Sequence, residues 1–453
     1  MSEHSTRDLR EFLDFAEAKG KSAWLEIDKP ISPKYMTTAV VTKLAQKLRS
    51  PVIRFNQIDG SAYPTVTNIC ASLDRVARSA EMTANDLNER LVGAMGAGIK
   101  PQQLTRAEAP VQSVVKNADE FSLHDLPALY YTDTQDAPYL TSAIVVGRDP
   151  DTGAHNLSFH RLMIADDHTC AIYMTPGGHL NQIWHKYSER GEPTPLAAVI
   201  GNHPLWCYGA LIAGALGHED YDVVSGLLGA PLALTPCVSH PELEVPAYAE
   251  MVFEGVIEPA ETLQEGPFGE FLGYVADKAA RPVVRFSTLT HREQPIYQDI
   301  VAGQIEHATM SSVSLRARLN RDYMQDTAAV VDFWLPAPMT IFLSIDPQAE
   351  DFDAQAFMET LLTKEAYLKQ AIAFDADVDL RKQASVQMAL ACFTQPEHDA
   401  VIFTNQNGNG VDPSEKAGKT SKIAIDARSR MHAVRNVLPE AIEASFDLND
   451  WIR

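Results

Sequence analysis

The segment TSAIVVGRDPDTGAHNLSFHRLMIADDHTCAIYMTPGGH, residues 141–179, alternates short β-rich runs with turn signals. TSAIVVG, HNLSFHRLMI and TCAIYMT have strand character, while RDPDTG, ADDH and PGGH supply the Asp, Pro and Gly of turns. The pattern predicts a meander of hairpins. Further strands over 196–200, 232–238, 249–257 and 283–288 extend it into an antiparallel barrel or closed sheet.

The flanks have a different texture. Upstream, RDLREFLDFAEAK (7–19) repeats apolar positions at helical spacing and stops at Gly20, and AWLEI and PVIRF read as strands on either side of a helical stretch at 38–48. A second helical stretch at 83–97 leads into the linker EAPVQ, which places a boundary at residue 108. Beyond residue 300 mixed α/β character returns, with strands at TIFLSI and LKQAIAF and a helix at 354–364. A chain of 453 residues exceeds one ordinary compact domain. The reading is an α/β multi-domain protein with an N-terminal α/β domain over 1–108, a β-barrel domain over 109–300 and a C-terminal α/β domain over 301–453.

Hydrophobic residues make up 45% and charged residues 22%, the balance of a globular protein with material for several cores. No run approaches the roughly 18 uninterrupted apolar residues of a membrane helix. The start, MSEHSTRDLREF, lacks the apolar centre of a signal peptide, so a cytoplasmic location with no membrane partner is expected. The formal charge of -22 opposes nucleic acid as a partner, because phosphate contacts need clustered Lys and Arg. It also repels anionic small molecules, which then require a local cationic pocket. Cys70, Cys170, Cys207, Cys237 and Cys392 are scattered and never form CxxC, which argues against a disulfide framework and a thiolate metal site; they read as buried small hydrophobes. GVDPSEKAGKTSK ends like a phosphate-binding loop, but the glycine such a loop requires falls at Pro413, so the segment reads as a plain loop.

Three sets of residues carry candidate chemistry. Period-two alternation in HNLSFHRLMI puts Leu157, Phe159, Arg161 and Met163 on one face and Asn156, Ser158 and His160 on the other. Arg161 then sits among apolar neighbours and needs carboxylate partners; a structural salt bridge and an anchor for a substrate carboxylate both meet that description. LQEGPFGEFLGY supplies Glu265 and Glu270 on either side of a Gly-Pro-Phe-Gly turn. They are either ordinary surface acids or an acid-base pair whose more enclosed member keeps a proton near neutral pH. Asn156, His179 and the pair Glu219-Asp220 offer an amide oxygen, an imidazole and a carboxylate, a donor set suited to Mn2+ or Mg2+; alternatively His179 is a plain loop histidine.

Taken in order, NLSFHR (156–161), PGGH ending at His179, SHPELEVPAYAEMVFEG (239–255), EGPFGE (265–270) and KTSKIAIDA (419–427) resemble the UbiD family of reversible decarboxylases over residues 20–430. The resemblance implies an N-terminal α/β domain, a split β-barrel that binds prenylated FMN and a C-terminal oligomerisation domain, assembled as a homodimer or larger homo-oligomer. It implies a carboxy-lyase acting on a small aromatic carboxylate, with a flavin prenyltransferase supplying the cofactor. The family's Glu-Arg-Glu network falls on Arg161, Glu265 and Glu270: Arg161 orients the substrate carboxylate, Glu270 protonates the carbon that loses CO2, and Glu265 holds Arg161. The divalent-metal ligands fall on Asn156, His179 and, by ungapped spacing from Gly201, Asp220. The family usually has glutamate there, which leaves Asp220 or neighbouring Glu219 as the acid. K+ is a further implied cation. Asn156, Ser158, Phe159, His160, Arg161, Gly178 and His179 are the implied cofactor-binding residues. Gly178 has no side chain for the flavin phosphate, which leaves that contact to backbone NH groups, the metal and Lys369.

QDIVAGQIEHATMSS carries Gln304, Glu306 and His307 where the family shapes its substrate pocket, and is similar to members acting on pyrrole, furan or indole carboxylates. His307 then hydrogen-bonds a ring heteroatom; otherwise it caps a helix or lies at the surface. Acrylic or cinnamic-type acids are the alternative substrates. Two other classes remain: an FMN-binding oxidoreductase, since a fold does not fix its chemistry, and a non-catalytic assembly or cofactor-binding protein.

Overall fold

The computed structural model describes residues 5–429 except 213, 215, 271, 273, 410 and 411, and falls into two compact units, one ending at Asp322 and the next beginning at Tyr323. The part of the expected C-terminal domain beyond Ser429 lies outside the described residues.

The first unit opens with helix α1 (Leu9–Ala18). Its start is fixed by the Asp8 side chain accepting the Glu11 amide at 2.8 Å, and it buries Leu9, Phe12, Leu13 and Ala16, the stripe that helical spacing marks. Strand β1 (Trp24–Ile27), helix α2 (Met36–Ala45) and strands β2 (Val52–Phe55) and β3 (Thr65–Thr67) follow. Helix α3 (Ala84–Gly96) begins behind a Thr83/Asp86 capping box. β1 and β2 are parallel and β3 is antiparallel to β2.

The next stretch supplies strands β4 (Val114–Asn117), β5 (Tyr139–Leu140), β6 (Ile144–Arg148), β7 (His155–Phe159), β8 (Leu162–Ile164), β9 (Thr169–Ile172) and β10 (Thr194–Ile200). After helices α4 (His179–Glu189) and α5 (Asp220–Leu228) come β11 (Met251–Glu265), the short pair β12 (Phe268–Gly269) and β13 (Val275–Ala276), and β14 (Ala279–His291). Nine of these strands form one antiparallel sheet in the order β5-β8-β9-β14-β11-β10-β6-β7, with β4 added on β14.

This order bends the sheet. β7 is the strand at one end, yet β8, only two residues further along the chain, lies beside the strand at the other end. A link that short spans no more than about 10 Å, so the sheet curls until its ends meet, a split barrel with a seam at His160 and Arg161. Two backbone hydrogen bonds stitch the seam: His160 N donates to Ala143 O at 3.3 Å, and Tyr173 N donates to Arg161 O at 3.2 Å. Residue 160 therefore prolongs the ladder with β6, and residue 161 the ladder with β9. The alternation expected over 155–164 holds across the seam although the chain changes partners there: Val145 and Ala143, opposite Ser158 and His160, line the same core as Leu162 with its partners Leu140 and Ile172, while Arg161 and Met163 fall on the other face.

A difference follows PGGH, which reads as a turn but starts α4. Gly147 makes room for it, since a Cβ there would lie 2.7 Å from Leu180 Cδ1. Strand β15 (Tyr297–Gln298) then leaves the barrel and pairs in parallel with β3, giving the N-terminal sheet its fourth strand. Helix α6 (Ile305–Leu319) follows at once.

The second unit holds a five-stranded mixed sheet in the order Val330–Ala337, Thr340–Ile345, Gln370–Asp375, Lys419–Asp426, Ala400–Asn407. Lys422 is almost fully buried and donates to Leu362 O at 2.7 Å and Glu365 O at 2.8 Å, closing the C-terminal end of helix Ala354–Lys364. The GKTSK segment runs into a strand, where Thr420 Oγ1 donates to Asp412 Oδ2 at 2.8 Å. Lys369, expected as a candidate phosphate partner, donates to the same carboxylate at 2.7 Å and to Ser414. Four cysteines are buried, but Cys392 is exposed, contrary to expectation. No helix among the described residues is long and apolar enough to cross a membrane.

Candidate active site

Arg161, at the seam, meets both glutamates of the 265–270 segment. Its Nε and Nη2 donate to Glu265 Oε1 and Oε2 at 2.9 and 3.1 Å, a two-pronged clasp, and its Nη1 donates to Glu270. The guanidinium lies 4.4 Å from the centre of the Tyr173 ring and 4.5 Å from that of Phe268. These rings add to the apolar face that alternation along the strand gives it. Burial works against the charge, and hydrogen bonding and attraction from Glu265, with Glu270 in support, outweigh it and raise the Arg161 pKa.

The two glutamates differ in enclosure. The Glu265 side chain is 0% exposed, and the buried Tyr139 hydroxyl also donates to its Oε1 at 3.0 Å; Glu270 is 21% exposed. Burial, then the charge of Glu265, pushes the Tyr139 hydroxyl far above its ordinary pKa, so it stays a donor. Every oxygen of Glu265 is thereby occupied by donors, and Glu270, with one contact to Arg161, is the carboxyl free to face a substrate. Gly266 starts the turn between them at φ +104, a conformation open to glycine, and a Cβ there would lie 3.1 Å from Asp277 O. β12 and β13 then pair, and Glu270 N donates to Tyr274 O at 2.7 Å, fixing the backbone that carries Glu270.

On β7, Asn156 Nδ2 donates to Asp220 Oδ2 at 3.0 Å, and Leu157 N donates to the same oxygen at 2.9 Å. Burial pushes the Asp220 carboxyl up to about 6. Glu219 faces elsewhere: it caps α5 and accepts from His155 Nδ1 at 3.1 Å. Ser158 Oγ lies 2.8 Å from His160 Nε2 and 3.2 Å from Asn156 Oδ1, tying three β7-side residues into one chain of contacts. His160 Nδ1 sits 2.8 Å from Tyr173 O, which can only accept, so Nδ1 carries the hydrogen. Burial holds this imidazole neutral, with a pKa down at about 4. Phe159, half-buried, ends the strand beside the seam.

His179 is the first residue of α4, and burial lowers its pKa, favouring the neutral, ligating form. Among the described residues no three His, Cys, Asp or Glu side chains gather tightly enough to hold a metal. Asn156 and Asp220 do meet; by donor type alone, an amide oxygen, a carboxylate and the neutral imidazole of His179 suit a hard divalent cation. Gly178 is the N-cap of α4 and no side chain caps this helix start, so the first amides of the helix remain available to a phosphate. A Cβ on Gly178 would come 3.0 Å from Thr175 O, so the cradle depends on its bareness. The start of α4 thus suits a phosphate, and the three candidate ligands suit a divalent metal in donor type.

The three residues singled out around α6 separate. Gln304 is its N-cap and accepts from Thr42 Oγ1 at 3.1 Å. Glu306 is fully buried and accepts from the amides of Asn68 and Cys70, each at 2.7 Å, anchoring the helix to the N-terminal sheet. His307 faces the Gly303 amide with Nδ1 at 3.4 Å, and burial, then the positive charge of Arg161, brings its pKa to about 4. It is thus a neutral imidazole within electrostatic reach of Arg161. Tyr139, Tyr173, Phe268 and Arg281 were not singled out from the sequence. For Arg281 it is the strand register, Leu263 opposite Arg281, that sets it beside Glu265.

Profiles of the three domains of 3-octaprenyl-4-hydroxybenzoate carboxy-lyase match the chain in order, the N-terminal domain at 17–95, the Rift-related domain at 102–305 and the C-terminal domain at 308–427. The chain is 27% identical over 442 residues to the anhydromevalonate phosphate decarboxylase of Methanosarcina mazei, covering 95% of this chain and 99% of that one. It is similar to the solved structure of the UbiD-class enzyme HmfF from Pelotomaculum thermopropionicum in complex with FMN, with a TM-score of 0.91 and 27% identity over 98% of this chain and 100% of that one. It is likewise similar to an evolved dimeric form of that enzyme in complex with prFMN, with a TM-score of 0.88 and 27% identity over 99% and 100% of the two chains.

Proposed function

This chain belongs to the UbiD family of carboxy-lyases, and from that premise we propose that it removes CO2 reversibly from an aromatic or heteroaromatic acid of the pyrrole, furan or indole carboxylate type, using prenylated FMN and Mn2+ or Mg2+. The observation that carries the reading is the Arg161 guanidinium held by Glu265 and Glu270 against the Tyr173 and Phe268 rings. An acyclic or cinnamic-type acrylic acid is the second reading, favoured by the likeness to a decarboxylase named for anhydromevalonate phosphate.

Asn156, His179 and Asp220 would hold the metal, with the start of α4 taking the flavin phosphate. The prenylated flavin, when bound, supplies the sink for the electrons left as CO2 departs. Arg161 orients the substrate carboxylate through Nη1, the nitrogen facing Glu270. Before substrate binds, Glu265 holds the guanidinium, and Tyr139 in turn holds Glu265. The rings of Tyr173 and Phe268 exclude water and so strengthen the ion pair. Glu270 then delivers its proton to the carbon that lost CO2. His307, uncharged, offers a hydrogen bond to a ring heteroatom. Hydride transfer requires none of the Arg161, Glu265 and Glu270 set, which weighs against a redox role.

The test is to produce the protein alongside a flavin prenyltransferase and incubate it with a panel of aromatic, heteroaromatic and acrylic acids, measuring CO2 release and exchange with labelled bicarbonate. Turnover with prenylated FMN and none with plain FMN is expected. Redox turnover with plain FMN would replace this reading with that of an oxidoreductase.

A further inference from the structure

A second arginine stands behind the first. Arg281, on β14 opposite Leu263 of β11, lies 4.6 Å from the centre of the Tyr173 ring, the same ring that Arg161 covers at 4.4 Å. Its Nε is 3.7 Å from Glu265 Oε2, close enough to attract and too far to hydrogen-bond. That Nε is buried and has no hydrogen-bond partner among the described residues. An unsatisfied buried N–H is costly, and one poised just short of a carboxylate marks a bond made in another state.

Arg161 shows what that state is. Three of its nitrogens are engaged, two by Glu265 and one by Glu270. To take up a substrate carboxylate it must turn away from Glu270, and the turn loosens its clasp on Glu265. The incoming acid also adds a negative charge beside two glutamates. We propose that Arg281 is a positioning residue that takes over the Glu265 carboxylate when Arg161 turns to the substrate, so that Glu265 stays in place and compensated. The inference rests on the decarboxylase reading above. It assigns Arg281 no contact with the reacting atoms.

Since the exchange accompanies binding, its loss falls on KM. In the prenylated-FMN enzyme, Arg281→Met keeps the length and the packing on Tyr173 and should raise KM for the best acid of the panel by about 10-fold or more, with kcat within about 3-fold of wild type. Arg281→Lys, which restores a charge, should recover part of the loss, and both variants should melt within a few degrees of wild type. A crystal structure with an unreactive analogue of that acid should show the Arg281 Nε to Glu265 distance closing from 3.7 Å to hydrogen-bond range. A wild-type KM in Arg281→Met, or a gap that stays open with the analogue bound to Arg161, would overturn the inference while leaving the decarboxylase standing. Wild-type protein inactive on every acid would overturn the decarboxylase reading and the inference with it.

Discussion

Replacing Glu270 by glutamine separates proton delivery from binding. Glu270 reaches Arg161 through one nitrogen and is 21% exposed, whereas Glu265 uses both oxygens and is fully enclosed. Glutamine keeps an oxygen for Arg161 Nη1 and nearly the same shape, so the loss is one charge-assisted contact at a partly hydrated group, about 1 kcal/mol of stability. It cannot give up a proton at neutral pH. Turnover of Glu270→Gln should fall about 100-fold or more, the scale of a lost general acid and equivalent to roughly 2.7 kcal/mol of barrier. KM should move by less than about 3-fold, since the Arg161–Glu265 clasp that presents Nη1 is untouched. The assay is CO2 release at saturating acid, run also in deuterated water with the product examined by mass spectrometry. Wild type should place one deuteron at the vacated carbon and exchange that position in added product; the variant should do both slowly. Near wild-type turnover with normal deuterium incorporation would mean that another group delivers the proton, and the division of labour between the two glutamates would be wrong.

The metal assignment predicts that His179→Ala loses both metal and flavin by elemental analysis and absorbance while its circular dichroism is unchanged; full flavin occupancy would refute it. Asp220→Asn should lose metal and Glu219→Gln should keep it, since only Asp220 meets Asn156. His307→Ala should penalise a heteroaromatic acid more than a carbocyclic acid of the same size, and an equal loss on both would make His307 scaffold. Burial raises Glu306 from 4.5 to about 7. The folded state therefore holds this proton more tightly than the unfolded state, and the stability it contributes is present below pH 4.5 and lost as pH rises through 7. The stability advantage of wild type over Glu306→Gln should shrink by about 2–3 kcal/mol between pH 5 and pH 8, read from urea unfolding of both proteins. A difference independent of pH would show that Glu306 does not titrate in this window.

The α/β layers and the antiparallel middle were legible because their signals are local. Phe12 and Ala16 repeat at helical spacing, and RDPDTG marks a hairpin that β6 and β7 do form. Alternation also held through 160–161, so the faces were legible, but the change of ladder there was not, because periodicity says nothing of which strand is the partner. The candidate residues on either side of the seam were legible as residue types, but their grouping was not. Tyr139 sits in a two-residue strand with no periodicity to read, and its bond to Glu265 depends on the order of strands in the sheet. Arg281 looks like any cation on a half-exposed strand until its register against β11 is known. Gln304, Glu306 and His307 are neighbours in sequence, yet a helix start sends them to a cap, a buried anchor and a buried place within electrostatic reach of Arg161.

The seam has a consequence for how the protein is made. Arg161 and Glu265 are separated by 104 residues, and Tyr139 and Glu265 by 126. At about 5–20 residues per second of synthesis, Arg161 leaves the ribosome roughly 5–20 s before the carboxylate that clasps it. Through that interval β7 and β8 have no curled sheet to join, and β14 is not yet available to bridge β9 and β11. The seam closes only after the last barrel strand arrives. A nascent or truncated chain ending before β14 can therefore build hairpins but not the pocket.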